Sequence, residues 1–393
     1  MDLLLTDEEK MLRHTAREFL EAECPTTLVR EMETDAKGYP PLLWRKVAEL
    51  GWQGMALPEK YGGQDLPLVY VGLILQEAGR ALVPLPLHST VAAALTIASE
   101  GTEAQRQAVL PAVAGGESVL TWAFTEEDPR FLSETIRTHA VGDGEHFVIN
   151  GRKLFVDNFV AADQCLVACR TAPASQGLGG LSLFLVDTAS PGLSQIPLVT
   201  LAKDKQSEVV FDNVRVSRSS LIGPLHHGGP IIERMLERAT VLLCAQMLGA
   251  TRKDAEMAIE YAKYRVAFGQ PIGAFQSIQH LCADMIMWID GGELLTYEAL
   301  WKMDQGLRAS VEVSQAKAFC NEKCEAVVRL SQMVHGGIGF MMEFDLHLWF
   351  RRVSAWTMRL GTSFEHRARI AHALIDSPGR VILGRSVPVE AEA

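Results

Sequence analysis

Gly142-Asp143-Gly144-Glu145-His146-Phe147-Val148-Ile149-Asn150-Gly151 is where the chain changes its period. Before it, apolar residues recur at helical spacing. Here Gly142-Asp143-Gly144 reads as a turn, Phe147-Val148-Ile149 as aromatic and β-branched strand residues, and Asn150-Gly151 as a hairpin signal. Working outward, 164–169, 181–186 and 208–216 are further strand candidates rich in Val, Leu and Phe, with Gly and Ser between them. The block 119–222 is therefore expected to be a small antiparallel β domain.

On either side the period returns to 3.6. Residues 1–118 are expected to form an N-terminal helical domain. Thr6-Asp7-Glu8-Glu9 fits a capping box, with Thr6 as N-cap and Glu9 reaching back. A second helix is expected over 42–50, Tyr61-Gly62-Gly63 makes a break, and the apolar runs 69–79 and 91–99 read as buried helices. After Gly228-Gly229-Pro230, amphipathic segments at 230–264, 276–304, 309–334 and 345–375 predict a four-helix bundle spanning 223–378. The tail, 379–393, is expected to fray.

Composition removes several function classes. The 393 residues include 37 Lys and Arg against 48 Asp and Glu, a net charge of −11. With no basic stripe, such a chain is a poor nucleic-acid binder. No apolar run approaches the roughly 20 residues that span a bilayer, and MDLLLTDEEK has no basic leader region. The seven cysteines form no Cys-x-x-Cys pair and no zinc-ligand spacing, so no metal site is expected. They read as small buried hydrophobes of a reduced, cytoplasmic protein.

Within this helical–β–helical order, several strings acquire meaning. They are Ala123-Phe124-Thr125-Glu126, Asn150-Gly151-Arg152-Lys153, Phe211-Asp212-Asn213-Val214-Arg215-Val216, Tyr264-Arg265-Val266-Ala267-Phe268-Gly269-Gln270-Pro271-Ile272 with Phe275-Gln276, and Gln332-Met333-Val334-His335-Gly336-Gly337. In this order they resemble the acyl-CoA dehydrogenase family over essentially the whole chain. The resemblance implies the three-domain fold, bound FAD, and desaturation of an acyl-CoA thioester between its α and β carbons. In that chemistry a carboxylate removes the α-proton while the flavin accepts a hydride.

The family's base is usually a Glu just before a Gly-Thr pair. Here the string is Met358-Arg359-Leu360-Gly361-Thr362-Ser363, so Leu360 stands at the base position. The alternative home of the base, on the first bundle helix, is Ala239. Neither side chain accepts a proton, so no catalytic base is expected in this chain.

The family's FAD lies between two subunits, and the resemblance divides the implied contacts in two. The set reaching across to a partner's cofactor is kept: Arg265, Phe268, Gln276, and a Gln-x-x-Gly-Gly-type turn read at Gln332, Gly336 and Gly337. Arg265 suits a diphosphate through its directed donors, and the glycines admit backbone N–H groups close to phosphate oxygens. The set that cradles the flavin ring of the chain's own site, in which Thr125 and Thr362 are retained, is largely replaced. The loop after Thr125-Glu126 is normally rich in Gly and Ser but reads Glu127-Asp128-Pro129-Arg130-Phe131-Leu132. Asp157 follows Phe155-Val156 where a Thr near flavin N5 is usual, and as an ionised group there it is expected to disfavour reduction.

These replacements point to a catalytically silent subunit of a heteromeric (α2β2-type) acyl-CoA dehydrogenase. Its implied partners are a related subunit carrying the catalytic Glu, an acyl-CoA with a bulky steroid side-chain or dicarboxylic acyl group, and an electron-transferring flavoprotein. Two alternatives stay open. One is a homo-oligomeric FAD enzyme with its base relocated to Asp157 or Glu126; the other is a flavin monooxygenase on the same scaffold.

Overall fold

The computed structural model describes residues 5–172 and 177–376; the expected fraying tail at 379–393 lies outside them. The N-terminal helices are α1 (Asp7–Glu23), α2 (Thr26–Thr34), α3 (Pro41–Glu49), α4 (Leu68–Arg80), α5 (Leu87–Glu100) and α6 (Glu103–Ala114). Thr6 caps α1 in the expected capping box, and Thr102 with Gln105 repeats the device on α6. α4 and α5 are apolar around most of their circumference and lie in the interior, as such helices must.

The β domain comprises β1 (Leu120–Ala123), β2 (His139–Asp143), β3 (His146–Asp157), β4 (Gln164–Arg170), β5 (Leu181–Asp187), β6 (Leu193–Leu198), β7 (Gln206–Ser217) and β8 (Leu221–Ile222). They form one sheet in the order β6-β7-β3-β2-β4-β5-β8, with β1 beside β4. Most pairings are antiparallel, but β1 runs parallel to β4. The turn between β2 and β3 falls at Gly144-Glu145. Asn150-Gly151 is not a hairpin turn but an irregularity inside β3, where the register against β7 shifts. Gly151 has φ +148°, and a Cβ there would stand 2.5 Å from the Thr138 hydroxyl, so the glycine serves a bulge and a close approach.

The C-terminal domain contains α7 (Gly229–Tyr264), a small hairpin of β9 (Val266–Ala267) and β10 (Gln270–Pro271), α8 (Gln276–Asp304), α9 (Ser310–His335), α10 (Leu346–Trp356) and α11 (Ser363–Ile375). The helix expected over 345–375 is thus two helices. Leu360 (φ +57°) and Gly361 (φ +94°) break it between them, and a non-glycine residue in that region is strained by roughly 1–2 kcal/mol.

α4 crosses α7 at unusually short range because glycines meet backbone there. A Cβ on Gly79 would lie 1.9 Å from the Gln246 carbonyl oxygen, and one on Gly249 would lie 1.7 Å from that of Gln76. This crossing fixes the N-terminal domain on the bundle beside the turn at Leu360. Gly249→Ala is therefore expected to lower stability by about 1–3 kcal/mol despite the better helix propensity of Ala. Urea unfolding checks this; an unchanged or raised midpoint would show that the helices separate freely.

Candidate active site

The turn joining α10 to α11 meets the end of β3. Its backbone is held by buried side chains of the bundle. Lys317 donates to the Trp356 carbonyl at 2.8 Å, Asn321 to that of Gly361 at 3.0 Å, and His366 Nε2 to that of Leu360 at 2.8 Å. Carbonyls at a helix end and a tight turn lack intrahelical partners, so these donors satisfy the segment and hold Leu360 in its strained conformation. Burial is also the main reason that the Lys317 ammonium is pushed down to about 8 and the His366 imidazole to about 4.

Leu360 is buried, at 7% exposure. Ala239 is buried on α7, and its carbonyl receives His88 Nε2 at 2.8 Å. The residue before Leu360 matters more. Arg359 donates from Nη1 to Asp157 Oδ1 at 2.6 Å and from Nη2 to Asp157 Oδ2, and Nη2 also reaches the Phe155 carbonyl. Burial works against the Arg359 charge, yet the Asp157 carboxylate holds its pKa above the ordinary value. Asp157 is thus not the lone anion that the sequence suggested. It is neutralised by a forked ion pair that ties the β domain to the bundle across the crevice.

A second closure lies beside the first. Phe131, 6% exposed, is tucked under α11: its N–H donates to Glu365 Oε1 at 2.7 Å, and its carbonyl accepts from Arg369 at 2.8 Å. The Arg369 guanidinium also lies 4.7 Å from the Phe131 ring centroid, a cation–π contact. A Cβ on Gly361 would sit 3.2 Å from the Phe131 ring. Phe131 therefore fills space against the Leu360–Gly361 turn. Beside the Asp157–Arg359 pair lies a cavity of about 80 Å³ bordered by Leu85, His88, Asp157, Trp356, Arg359 and Leu360. For scale, an engineered apolar cavity of about 150 Å³ accepts one benzene.

The other proposed contacts of this half are engaged in structure. Glu126 pairs with the fully buried Lys153 at 2.8 Å and accepts the N–H groups of Arg137 and Thr138 at 2.7 and 3.0 Å. Burial alone would raise its pKa, but the Lys153 charge and these bonds bring it below the usual carboxylate value. It is consequently no free base. Thr362 caps α11, with its hydroxyl and N–H on Glu365. Thr125 is half-buried, and its carbonyl accepts from Leu154 N–H at 2.8 Å.

The second set of residues lies at the far ends of α7 and α9 and is open. Arg265 is exposed, with no ion pair or hydrogen bond from its guanidinium among the described residues. Phe268 tips the β9–β10 hairpin at 95% exposure, and Gln276 begins α8 on the surface. Gly336 and Gly337 have no atom within 4 Å of where a Cβ would stand. Gln332 departs from expectation. Three residues, not two, separate it from Gly336, and one residue is about 100° around a helix. Gln332 is accordingly 3% exposed and turned inward, whereas Met333, at the Gln-x-x-Gly-Gly spacing, is 68% exposed.

Family models match three consecutive stretches of the chain. They are "Acyl-CoA dehydrogenase, N-terminal domain" over 6–117, "middle domain" over 121–214 and "C-terminal domain" over 226–375. An acyl-CoA dehydrogenase of Bacillus subtilis is 30% identical over 379 residues, 94% of this chain and 99% of that one. The chain belongs to the acyl-CoA dehydrogenase family. Among solved structures, butyryl-CoA dehydrogenase from Megasphaera elsdenii is 28% identical with a TM-score of 0.88, covering 95% of this chain and 100% of that one. The "Tcur3481-Tcur3483 steroid ACAD", in a variant form, is 30% identical with a TM-score of 0.86, covering 94% and 98%. The family consists of FAD-dependent oxidoreductases acting on acyl-CoA thioesters, and the three-domain order agrees with its fold. No helix among the described residues is long and apolar enough to cross a membrane.

The residues present fit FAD unequally. The open glycine pair, the unpaired Arg265 and the projecting Phe268 leave room for a diphosphate and adenosine. At Asp157 and Phe131, by contrast, the residues are engaged with Arg359, Glu365 and Arg369 rather than left open. Sequence reading missed Arg359, Glu365 and Arg369, which effect the closure. The available signal was an Asp at a strand end that needed a cation, and an Arg directly before Leu360.

Removing Arg359 alone should leave a partly buried carboxylate unpaired, so Arg359→Met is expected to cost about 1–3 kcal/mol, largely recovered in Asp157→Leu/Arg359→Met. Equal stability of the single and double variants would contradict the clamp. His366 gives a pH test. Its folded pKa of about 4 lies below the unfolded 6.5, so the unfolded state binds more protons between these values and stability rises with pH there. Linkage puts the stability lost on going from pH 6.5 to below 4 on the order of 3 kcal/mol. Thermal unfolding of wild type and His366→Gln should show a steeper acid-side loss for wild type; parallel curves would contradict it.

Proposed function

We propose that this chain is the non-catalytic subunit of a heteromeric acyl-CoA dehydrogenase, completing an FAD site whose ring-binding half and catalytic Glu belong to a related partner chain. The observation that carries the reading is the Asp157–Arg359 ion pair closing the crevice beside Leu360, while Arg265, Phe268, Gly336 and Gly337 stay open.

Symmetry supplies the physical argument. In a homodimer each interface site needs both halves from one sequence, so a closed crevice disables every site. In a mixed pair the partner brings its own crevice, and this chain need keep only the half that crosses the interface. A relative named for a pair, the Tcur3481-Tcur3483 steroid ACAD, supports this assembly and favours a bulky acyl-CoA, with a steroid side-chain acyl group as the first choice and a dicarboxylic one as the second. An electron-transferring flavoprotein, typical of the family, is the proposed acceptor. Free, mostly buried cysteines fit a cytoplasmic location. Relocation of the base has less support, because Asp157 and Glu126 are both ion-paired. A flavin monooxygenase would also need the flavin ring in this crevice.

The pure chain should not reduce a dye acceptor with saturated acyl-CoAs from short-chain to steroid side-chain substrates. Leu360→Glu should restore no turnover, since a proton acceptor acts only when the hydride acceptor is positioned too. Turnover by either protein would overturn the silent-subunit reading. Arg265→Ala, made only in this chain, should weaken FAD retention of the co-purified complex by about one to two decades. Flavin titration at equal subunit ratio reads it, and unchanged affinity would reduce Arg265 to a helix-end residue.

A further inference from the structure

His335 stands between the two elements that carry the open half-site. It ends α9, immediately before Gly336, and is almost wholly buried. On one side its ring lies on that of Tyr261 in α7, centroids 4.5 Å apart and planes 27° apart. Tyr261 meets Tyr264 edge-on at 5.4 Å, and its carbonyl accepts the Arg265 N–H at 2.9 Å. On the other side His335 is tilted against Phe344 at 5.4 Å. Its Nδ1 lies 2.8 Å from the Ser331 carbonyl oxygen, which assigns the proton to Nδ1. Four rings thus run from the segment after the glycine turn to the residue preceding Arg265.

Gly336 and Gly337 have no side chains to pack and nothing near their Cβ positions. Their location therefore depends on the residue that leads into them. We propose that His335 is a positioning residue: stacked on Tyr261, it fixes the Gly336-Gly337 backbone relative to Arg265 so that both reach one diphosphate. This rests on the reading of these residues as a dinucleotide half-site. Hydrogen bonds to phosphate oxygens tolerate only a few tenths of an ångström of drift before they weaken, and two loops joined by no strand pairing need such a strut. The contact is a face stack, so the shape of the ring carries the function and its nitrogens do not.

The test is titration of the full chain with ADP, which carries the diphosphate and adenosine without the flavin ring. Arg265→Ala should abolish measurable binding. His335→Ala should bind about three- to tenfold more weakly than wild type, the worth of a stacked aromatic pair. His335→Phe, which keeps the stack and loses the imidazole nitrogens, should stay within about twofold of wild type, the stack being the source of the effect. Val328→Ala, a buried truncation two turns earlier on α9, should lower the unfolding temperature but leave ADP affinity unchanged. If His335→Ala binds ADP like wild type while Arg265→Ala does not, the positioning role is overturned and the half-site stands. Equal loss in Val328→Ala and His335→Ala, or failure of His335→Phe to rescue, also overturns it. If wild type does not bind ADP, or Arg265→Ala binds it equally well, the half-site reading fails and this inference fails with it.

Discussion

A forked ion pair between Asp157, at the end of β3, and Arg359, in the turn before Leu360, joins the β domain to the C-terminal bundle. Two charges are removed from bulk water there, which costs free energy unless geometry and hydrogen bonding are good. Here the two terminal guanidinium nitrogens each face one carboxylate oxygen, and the turn that carries Arg359 is itself pinned by Lys317, Asn321 and His366. The strained Leu360 and the tucked Phe131 lie beside this pair, the one held by those three donors and the other by Glu365 and Arg369. Opening the crevice for a flavin ring would require breaking the pair and withdrawing Phe131 from beneath α11.

The same chain treats its two proposed half-sites in opposite ways. Around Leu360, the turn carbonyls are bonded by Lys317, Asn321 and His366, and Phe131 packs against the turn. Around Gly336 and Arg265, backbone is bare and a cation lacks a counter-charge. A protein with one purpose for both regions would not be expected to show this contrast. A subunit that lends one half to a partner and uses its other half as a structural joint would.

Much of the fold was legible in the sequence because period and punctuation are local. The capping box at Thr6, the strand residues after Gly144 and the long amphipathic runs each act within a few residues. The failures came where tertiary contacts override a local signal. Asn150-Gly151 looks like a turn, but tertiary approach of Thr138 made it a bulge. The run 345–375 has helical composition throughout, yet donors from α9 and α11 stabilise a break at Leu360 and Gly361. In the site, Leu360 and Ala239 at the expected base positions cannot take a proton, which the residue types alone state. The pairing of Asp157 with Arg359 could not be read that way, because the partners lie 202 residues apart. Gln332 shows a third limit: a one-residue offset before the glycine pair rotates the amide into the core and presents Met333 instead.

The most direct measurement is the FAD content of the complex captured through a tag on this chain, divided by the count of each chain type. A crevice closed in this subunit and open in its partner predicts one FAD for each pair of unlike chains, and a colourless protein when this chain is purified alone. One FAD per copy of this chain in a homo-oligomer would contradict the account, because each crevice would then have to admit a flavin ring.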